Sequence, residues 1–386
     1  MTRDPGKRPA PGPAPPPVDR LALFLGSELE RLLEPGSALY PRLAAAYGHF
    51  VQGRGVPLPV LCLHRDRQNL EPDAYRIEIG GHPEAEGAFR TGLLLAVGED
   101  ATLNALLGEE TLEPVYGMPA RWIGPTQAEP AAARGCILFD PPGLIATHLI
   151  EVLGREAYRL LDQASLEQRL KSFLPAHRTL LSQLRRHPGL PGLRVLLQAL
   201  VRERVSLQDL LSILEAAARF APEAEDLQSL TELVRAEIPQ TICGPYLDEE
   251  GQIPAVVLTD TTEGVLKAQF QSQKGLDPEI GERFLGVLSR ELEELHAAGW
   301  SPALVVDFEI RAGLRRLVER DFPDLAVLSW SEIAPRAGIR TLATIGSRFH
   351  PWARKLPSSR WTTSAATGSE PAAPGERPAS DHPDKS

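Results

Sequence analysis

The fold is decided by two stretches of sequence, Leu112-Glu-Pro-Val-Tyr-Gly-Met-Pro-Ala-Arg-Trp122 and Phe139-Asp-Pro-Pro-Gly-Leu-Ile-Ala-Thr-His-Leu149. An aspartate and two prolines in the second stretch are start signals for a helix, which the apolar pattern predicts over Leu144–Gln163. The short apolar segments Gly92–Val97 and Gly135–Phe139 are typical of strands. The two stretches therefore predict a long helix that directly follows a loop-rich group of short strands.

The preceding residues alternate between predicted strands and helices. Leu21–Leu25, Pro57–His64 and Ala74–Ile79 are typical of strands, and the last of these alternates apolar and polar residues. Glu28–Leu33 and Tyr40–Gln52 are typical of helices. This order predicts a small α/β unit.

The residues after the long helix predict a helical region over Ala164–Glu237. An apolar stripe at helical spacing supports it and consists of Leu193, Leu196, Leu197 and Leu200. Ser206, with Asp209 three residues later, resembles a capping box and predicts a helix over Leu207–Arg219.

A second alternating region follows. Ala255–Leu258, Ala303–Val306 and Leu325–Leu328 are predicted strands. A helix is predicted from Asp277 to His296, and another over Ile310–Arg320. Two strands joined by a crossover helix form a parallel βαβ unit. The predicted class is therefore mixed α/β.

Composition restricts the possible functions. The chain has 386 residues, with 42% hydrophobic residues, 24% charged residues and a net charge of −10. The negative charge argues against general nucleic-acid binding. We find no apolar run of membrane-spanning length and no secretory signal, so we expect a cytoplasmic protein without direct membrane insertion. Residues 1–17 and 351–386 have the composition of disordered segments.

No familiar catalytic motif is present, so we expect no enzyme activity, cofactor or metal. His64-Arg-Asp66 resembles a kinase catalytic loop, but position 71 is Glu where that loop has Asn. Asp248-Glu-Glu250 is best explained as a solvated turn, and His148 as a structural histidine. Three widely spaced cysteines lack metal-site spacing and are expected to be buried thiols: Cys62, Cys136 and Cys243. An enzyme site assembled from distant residues remains an alternative.

Four segments in a fixed order carry a resemblance to a known family. They are Glu113–Ile123, Phe139–Leu149, Leu196–Ala216 and Leu314–Ile333. Together they resemble the cytoplasmic half of the export-gate proteins of type III secretion, the FHIPEP family, over about residues 18–345. The family's other half spans the membrane, and we expect this chain to be a form that lacks it.

The resemblance implies a division into four subdomains. Residues 18–91 with 141–160 would form the first α/β subdomain, and 92–140 a small α+β subdomain inserted in it. Residues 161–240 would form an all-helical subdomain and 241–350 a C-terminal α/β subdomain. Family members assemble as a ring of nine copies beneath the membrane gate, so the resemblance also implies a homo-oligomer.

The resemblance also implies a docking site for chaperones and export substrates. The matching positions are Glu113, Tyr116 and Thr147, with Phe139 and Pro141 on the same wall. Glu113 and Tyr116 depart from the Asp and Phe usual in the family, which is expected to alter client choice. Considered without the resemblance, the residues favour a packing role in which Tyr116 and Thr147 seal a seam between subdomains.

The function implied is that of a non-enzymatic part of a type III export apparatus, located at the cytoplasmic face of the inner-membrane export gate. The implied partners are secretion chaperones, export substrates, the membrane gate and the ATPase complex. An alternative is a regulatory or structural paralogue that co-assembles with a full-length export-gate protein.

Overall fold

The computed structural model describes residues 18–173, 176–272 and 275–346 of the chain. The predicted disordered segments, 1–17 and 351–386, lie outside the described residues. Within the described part the fold is mixed α/β, as predicted, with three separate four-stranded sheets. No helix in this part is both long and apolar enough to cross a membrane.

The strands are β1 Leu21–Leu25, β2 Cys62–Arg65, β3 Ala74–Ile79, β4 His82–Ala88, β5 Leu94–Val97, β6 Gly108–Leu112, β7 Pro119–Ile123, β8 Ile137–Phe139, β9 Gln252–Leu258, β10 Ala303–Val306, β11 Val327–Ser329 and β12 Gly338–Ile345. The helices are α1 Leu39–Arg54, α2 Asp100–Leu103, α3 Ala128–Ala133, α4 Pro141–Leu160, α5 Gln163–Lys171, α6 Arg178–Arg186, α7 Gly189–Arg202, α8 Leu210–Phe220, α9 Leu227–Glu237, α10 Pro239–Cys243, α11 Asp260–Phe270, α12 Pro278–Ala297 and α13 Phe308–Val318.

The first sheet has the strand order β2-β1-β3-β4, with β1 parallel to β2 and antiparallel to β3. The alternation in β3 buries Tyr75, Ile77 and Ile79 against α4, while α1 packs beside α4. Gly55 caps the end of helix α1, and its φ of 64° is the left-handed conformation that favours glycine. The sheet therefore buries its apolar face only when α4 is present.

The second sheet is antiparallel throughout, in the order β6-β7-β5-β8. With α2 and α3 it encloses a small core of its own that includes Ala96, Ile123 and Ala131. It lies in the chain between β4 of the first sheet and α4. The predicted strands at Gly92–Val97 and Gly135–Phe139 are confirmed as β5 and β8, each shorter by two residues at its start.

The region from α5 to α9 is helical, as predicted, and α10 follows beyond the predicted range; the leucine stripe of α7 is buried. The predicted start of α8 is wrong. Asp209 is the N-cap, because its carboxylate accepts a hydrogen bond from the Ser212 amide, and the helix begins at Leu210. Ser206 instead donates its hydroxyl hydrogen bond to the Gly53 carbonyl oxygen, at 3.1 Å.

The third sheet is parallel, in the order β11-β10-β9-β12, and the predicted βαβ unit is β10-α13-β11. Strand β10 has the predicted bounds. Strand β12 pairs with the full length of β9 and was not predicted.

Several other boundaries differ from prediction. The predicted strand Pro57–His64 forms a paired strand only from Cys62, and Glu28–Leu33 contains a 3-10 turn over Glu30–Leu33 instead of an α-helix. Helix α4 begins three residues earlier and ends three residues earlier than predicted. Cys136 and Cys243 are buried free thiols, but Cys62 is only half-buried, on the edge strand β2.

A buried ion cluster joins the helical region to the third sheet. Arg311 of α13 pairs with Glu232 of α9 and, at 2.7 Å, with Glu203 just after α7. Arg235 of α9 pairs with Glu332 and lies 3.3 Å from Glu203. Both guanidinium groups are almost fully buried, so these contacts fix how the two regions pack.

Candidate docking surface

The turn between β6 and β7 is closed by its own backbone and by one carboxylate. Glu113 is only 3% exposed, and its two oxygens accept hydrogen bonds from the amides of Val115 (2.7 Å) and Tyr116 (2.8 Å). The Glu113 amide donates to the Met118 carbonyl oxygen at 2.9 Å, and Gly117 has a φ of 68° that suits glycine. The Glu113 carboxylate therefore lies inside the turn, where its oxygens bond to the backbone, and is not presented to a partner at the surface.

Tyr116 stands at the surface of this turn. Its side chain is 61% exposed, and its hydroxyl donates a hydrogen bond to Glu151 Oε2 of α4 at 3.1 Å. Partial burial and the Glu151 carboxylate raise the pKa of Tyr116, so the phenol stays protonated. Leu112 and Met118 beside it are also exposed. The turn thus presents apolar side chains on a closed backbone.

Phe139 and Thr147 share an open depression at the start of α4. Arg42 of α1 also lines it, together with Leu94 and Leu138 of the second sheet. Thr147 donates its hydroxyl hydrogen bond to the Gly143 carbonyl oxygen at 3.0 Å, which turns its methyl group away from that bond. The depression therefore combines aromatic and aliphatic surface with a charged edge.

The start of α4 is fixed by Asp140. Its carboxylate accepts a hydrogen bond from the Gly143 amide at 2.8 Å and pairs with Arg42 at 3.2 Å. A Cβ at Gly143 would lie 2.7 Å from that carboxylate and 3.1 Å from the Arg42 guanidinium, so a larger residue would displace the pair. Pro141 occupies the first turn, where a proline fits without loss of a hydrogen bond. Pro141 does not line the depression.

The structure places the predicted residues in two groups, each of which contacts or includes a residue of α4. Phe139 and Thr147 line the depression, and Tyr116 contacts Glu151, which lies one helical turn after Thr147. Glu113 supports Tyr116 from within, and Pro141 sets the helix start. Sequence reasoning missed Arg42 and Glu151. Arg42 lies 98 residues from its partner, so no local signal points to it.

The interior behind this surface is structural. His148 is buried, its Nδ1 lies 2.9 Å from the Tyr75 hydroxyl, and burial lowers its pKa to about 4. A neutral, hydrogen-bonded imidazole agrees with the structural role predicted for His148. Within the described ranges, no group of three or more His, Cys, Asp or Glu side chains is placed to hold a metal ion.

Comparison with known proteins identifies the family of this chain. Residues 13–338 match the FHIPEP family, and the chain belongs to that family. Among its relatives is the flagellar biosynthesis protein FlhA of Yersinia enterocolitica, which is 30% identical over 341 residues. The match covers 85% of this chain and 48% of that protein, so the chain spans about half the length of the curated relatives it matches.

Solved structures show the same fold. The Chlamydia pneumoniae CdsV protein is 22% identical with a TM-score of 0.74, over 87% of this chain and 99% of that one. CdsV has also been solved in complex with CdsO, where it is 21% identical with a TM-score of 0.72, over 84% and 97% of the two chains. The nonameric EscV cytosolic domain from the type III secretion system is 19% identical with a TM-score of 0.68, over 87% and 99%.

Proposed function

We propose that this chain is a non-enzymatic component of a type III protein export apparatus that docks chaperone–substrate complexes. Membership of the FHIPEP family supports a role in an export apparatus, since the curated relatives of this chain are flagellar biosynthesis proteins. The observation that carries the docking role is Tyr116, an exposed aromatic side chain on a turn closed by the buried Glu113. A surface aromatic held in place before binding loses little conformational entropy when a partner covers it.

The partner chemistry follows from the shape of the surface. Tyr116, Leu112 and Met118 form an exposed apolar patch. Thr147, which lines the depression together with Phe139, lies one helical turn before Glu151, the residue of α4 that Tyr116 contacts. An amphipathic helix has apolar anchors at this kind of spacing and commonly binds such surfaces. We infer that a chaperone helix lies along the start of α4, with Tyr116 as the main aromatic contact.

Assembly is part of the same proposal. The EscV cytosolic domain, which shares the fold, forms a nonamer, and CdsV has been solved with CdsO. By analogy we propose that this chain joins a nonameric ring at the cytoplasmic face of an inner-membrane export gate. The membrane gate and the ATPase complex would then be its neighbours.

An affinity capture from lysate of the source cells tests the docking role. Wild type is compared with Tyr116→Asp, and the bound proteins are identified by mass. A matched control is Tyr40→Asp, because Tyr40 on α1 is 43% exposed, donates to the Leu33 carbonyl oxygen at 2.8 Å and is not among the residues that line the depression. Circular dichroism establishes that all three proteins are folded.

We expect small chaperones and export substrates to be retained by wild type and Tyr40→Asp and lost with Tyr116→Asp. Equal retention of these clients by Tyr116→Asp would refute docking at this surface. Recovery of a full-length membrane gate protein by all three forms, without chaperones, would favour the co-assembling paralogue instead.

A further inference from the structure

Arg204 occupies a backbone conformation that arginine rarely adopts. Its φ is 62°, and among the described residues it is the one non-glycine with positive φ. It lies two residues after the end of α7, where the chain leaves a helix and glycine is the usual residue. Left-handed conformations are strained for residues with a Cβ, and such strain persists where the surroundings hold the residue in place. The Arg204 amide donates to the Val201 carbonyl oxygen at 2.9 Å and the Val205 amide to that of Leu200 at 3.0 Å, which closes the helix end as a Schellman motif. The motif accounts for the backbone conformation, and an arginine in place of the usual glycine points to a role for its side chain.

The Arg204 side chain connects two carboxylates from different parts of the fold. Its Nη2 lies 3.4 Å from Glu151 Oε1 of α4 and also pairs with Asp324, in the segment between α13 and β11. Its backbone carbonyl oxygen accepts a hydrogen bond from Arg54 at the end of α1. The side chain is largely shielded, at 29% exposure, so these ion pairs are less screened than free surface pairs. Arg204 thus joins the first sheet's helices to the C-terminal region.

Glu151 contacts both Arg204 and Tyr116 and so connects Arg204 to the docking surface. One of its oxygens faces Arg204, and the other accepts the Tyr116 hydroxyl hydrogen bond at 3.1 Å. Arg155, four residues on, is a second cation at 3.9 Å. A carboxylate held on one oxygen by a guanidinium has a defined orientation for the hydrogen bond on the other. The continuous series is Tyr116, Glu151, Arg204 and Asp324.

We propose that Arg204 is a positioning residue for the docking tyrosine: it orients Glu151 and so couples Tyr116 to the Asp324 segment. A partner that covers Tyr116 then changes the constraint on residues 319–326, and a change there alters the presentation of Tyr116. Coupling of this kind is reciprocal. The biological use of the coupling rests on the proposed docking function, but the coupling itself is measurable without any client.

The chain offers a matched control. Arg202, at the end of α7, pairs at 3.0 Å with Glu319, next to α13. This pair joins the same two regions through an arginine two residues away. The Arg202 guanidinium lies 5.6 Å from the centre of the Tyr158 ring on α4, but among the described residues Arg202 forms no hydrogen bond or ion pair with Glu151. Arg202→Ala therefore removes a comparable bridge without touching the series.

The test is backbone amide hydrogen exchange of the full chain, followed by mass spectrometry. In Arg204→Gly, glycine accepts the positive φ, so α7 is expected to keep its exchange rates. We expect the amides of residues 115–118 to exchange at least tenfold faster than in wild type, and Arg202→Ala to leave them unchanged. Unchanged rates in Arg204→Gly, or equal acceleration in Arg202→Ala, would overturn the proposal.

Two further variants keep the result interpretable if Arg204→Gly is poorly folded. Asp324→Asn weakens the far end of the series, and we expect faster exchange at residues 115–118. Tyr116→Phe removes only the hydroxyl, and we expect faster exchange at Phe322 and Leu325, whose amides donate to the carbonyl oxygens of Val318 and Phe322. Absence of both effects would also overturn the coupling. If exchange is uncoupled while Tyr116→Asp still loses clients, the coupling fails and docking stands.

Discussion

Arg311→Met should strongly destabilise the junction between the helical region and the third sheet. Arg311 is 1% exposed, and its guanidinium faces the carboxylates of Glu203 and Glu232. Methionine fills most of the volume but leaves both carboxylates short of a cation. Breaking a buried pair by removal of one partner typically costs about 3–5 kcal/mol.

The pKa of Glu203 gives a second estimate of how much this ion cluster contributes to the free energy of folding. Burial alone would raise this pKa, but the attraction of Arg235 and Arg311 outweighs burial and lowers it from 4.5 to about 2. At about 1.4 kcal/mol for each pKa unit, the ionised Glu203 contributes about 3 kcal/mol to folding. Because the folded pKa is the lower one, this contribution is complete above pH 4.5 and is lost as the pH falls toward 2.

The assay is urea unfolding at pH 7 and pH 3, followed by tryptophan fluorescence. We expect Arg311→Met to lower the free energy of unfolding by about 3–5 kcal/mol at pH 7, and the difference from wild type to shrink by about 2 kcal/mol at pH 3. Arg316→Met on the exposed face of α13 is the control and should change little. A loss below about 1 kcal/mol, or a difference that does not depend on pH, would refute the reasoning.

Three further predictions concern the turn, the buried histidine and the end of α1. Glu113→Ala leaves two amides of the turn without their acceptor and should cost about 1–3 kcal/mol in urea unfolding, with Glu109→Ala on exposed β6 as a near-neutral control. His148 has a folded pKa of about 4 against 6.5, so wild type should lose about 3 kcal/mol between pH 7 and pH 4 that His148→Gln does not lose; equal pH profiles would contradict this. Gly55→Ala places a Cβ 2.5 Å from the Gln208 amide nitrogen at a φ of 64° and should lower the melting temperature, whereas Gly48→Ala in the open part of α1 should leave it equal or higher.

The sequence predicted the helices and strands whose capping residues or apolar patterns lie within a few consecutive residues. Asp140 and the two prolines after it mark the start of α4, and Asp277 with Pro278 marks that of α12. The alternation of β3 is confirmed because one face is buried and the other is not. In each case burial or capping acts on residues close in sequence, so the pattern is visible without the fold.

The missed strands lack such signals. Strand β6 lies at an edge and is mostly exposed, so Gly108–Leu112 has no apolar alternation. Strand β7 begins with Pro119, and β12 mixes polar and apolar residues that are held by parallel pairing to β9. These elements exist because of distant partners, which a local pattern does not contain.

The candidate site likewise contains residues that the sequence indicated and features that depend on contacts formed only in the fold. The resemblance supplied Tyr116, Phe139 and Thr147, and the structure places each of them on an accessible face. It did not reveal that Glu113 turns inward, because that depends on the closure of the turn at Gly117. The Glu151–Arg204 contact spans 53 residues, so no local sequence signal indicates it.

The position of the second sheet within the first has a consequence for synthesis on the ribosome. Strands β1 to β4 are complete at Ala88, but the helix that covers them, α4, ends only at Leu160. The intervening stretch of about 70 residues takes about 4–14 s to translate at 5–20 residues per second. During that time α4 is not yet available to pack on the apolar face of β3, whereas the residues that form the small core of the second sheet have already been synthesised. All strands of the inserted sheet are therefore synthesised before α4 is complete, and we expect the inserted unit to close before its host.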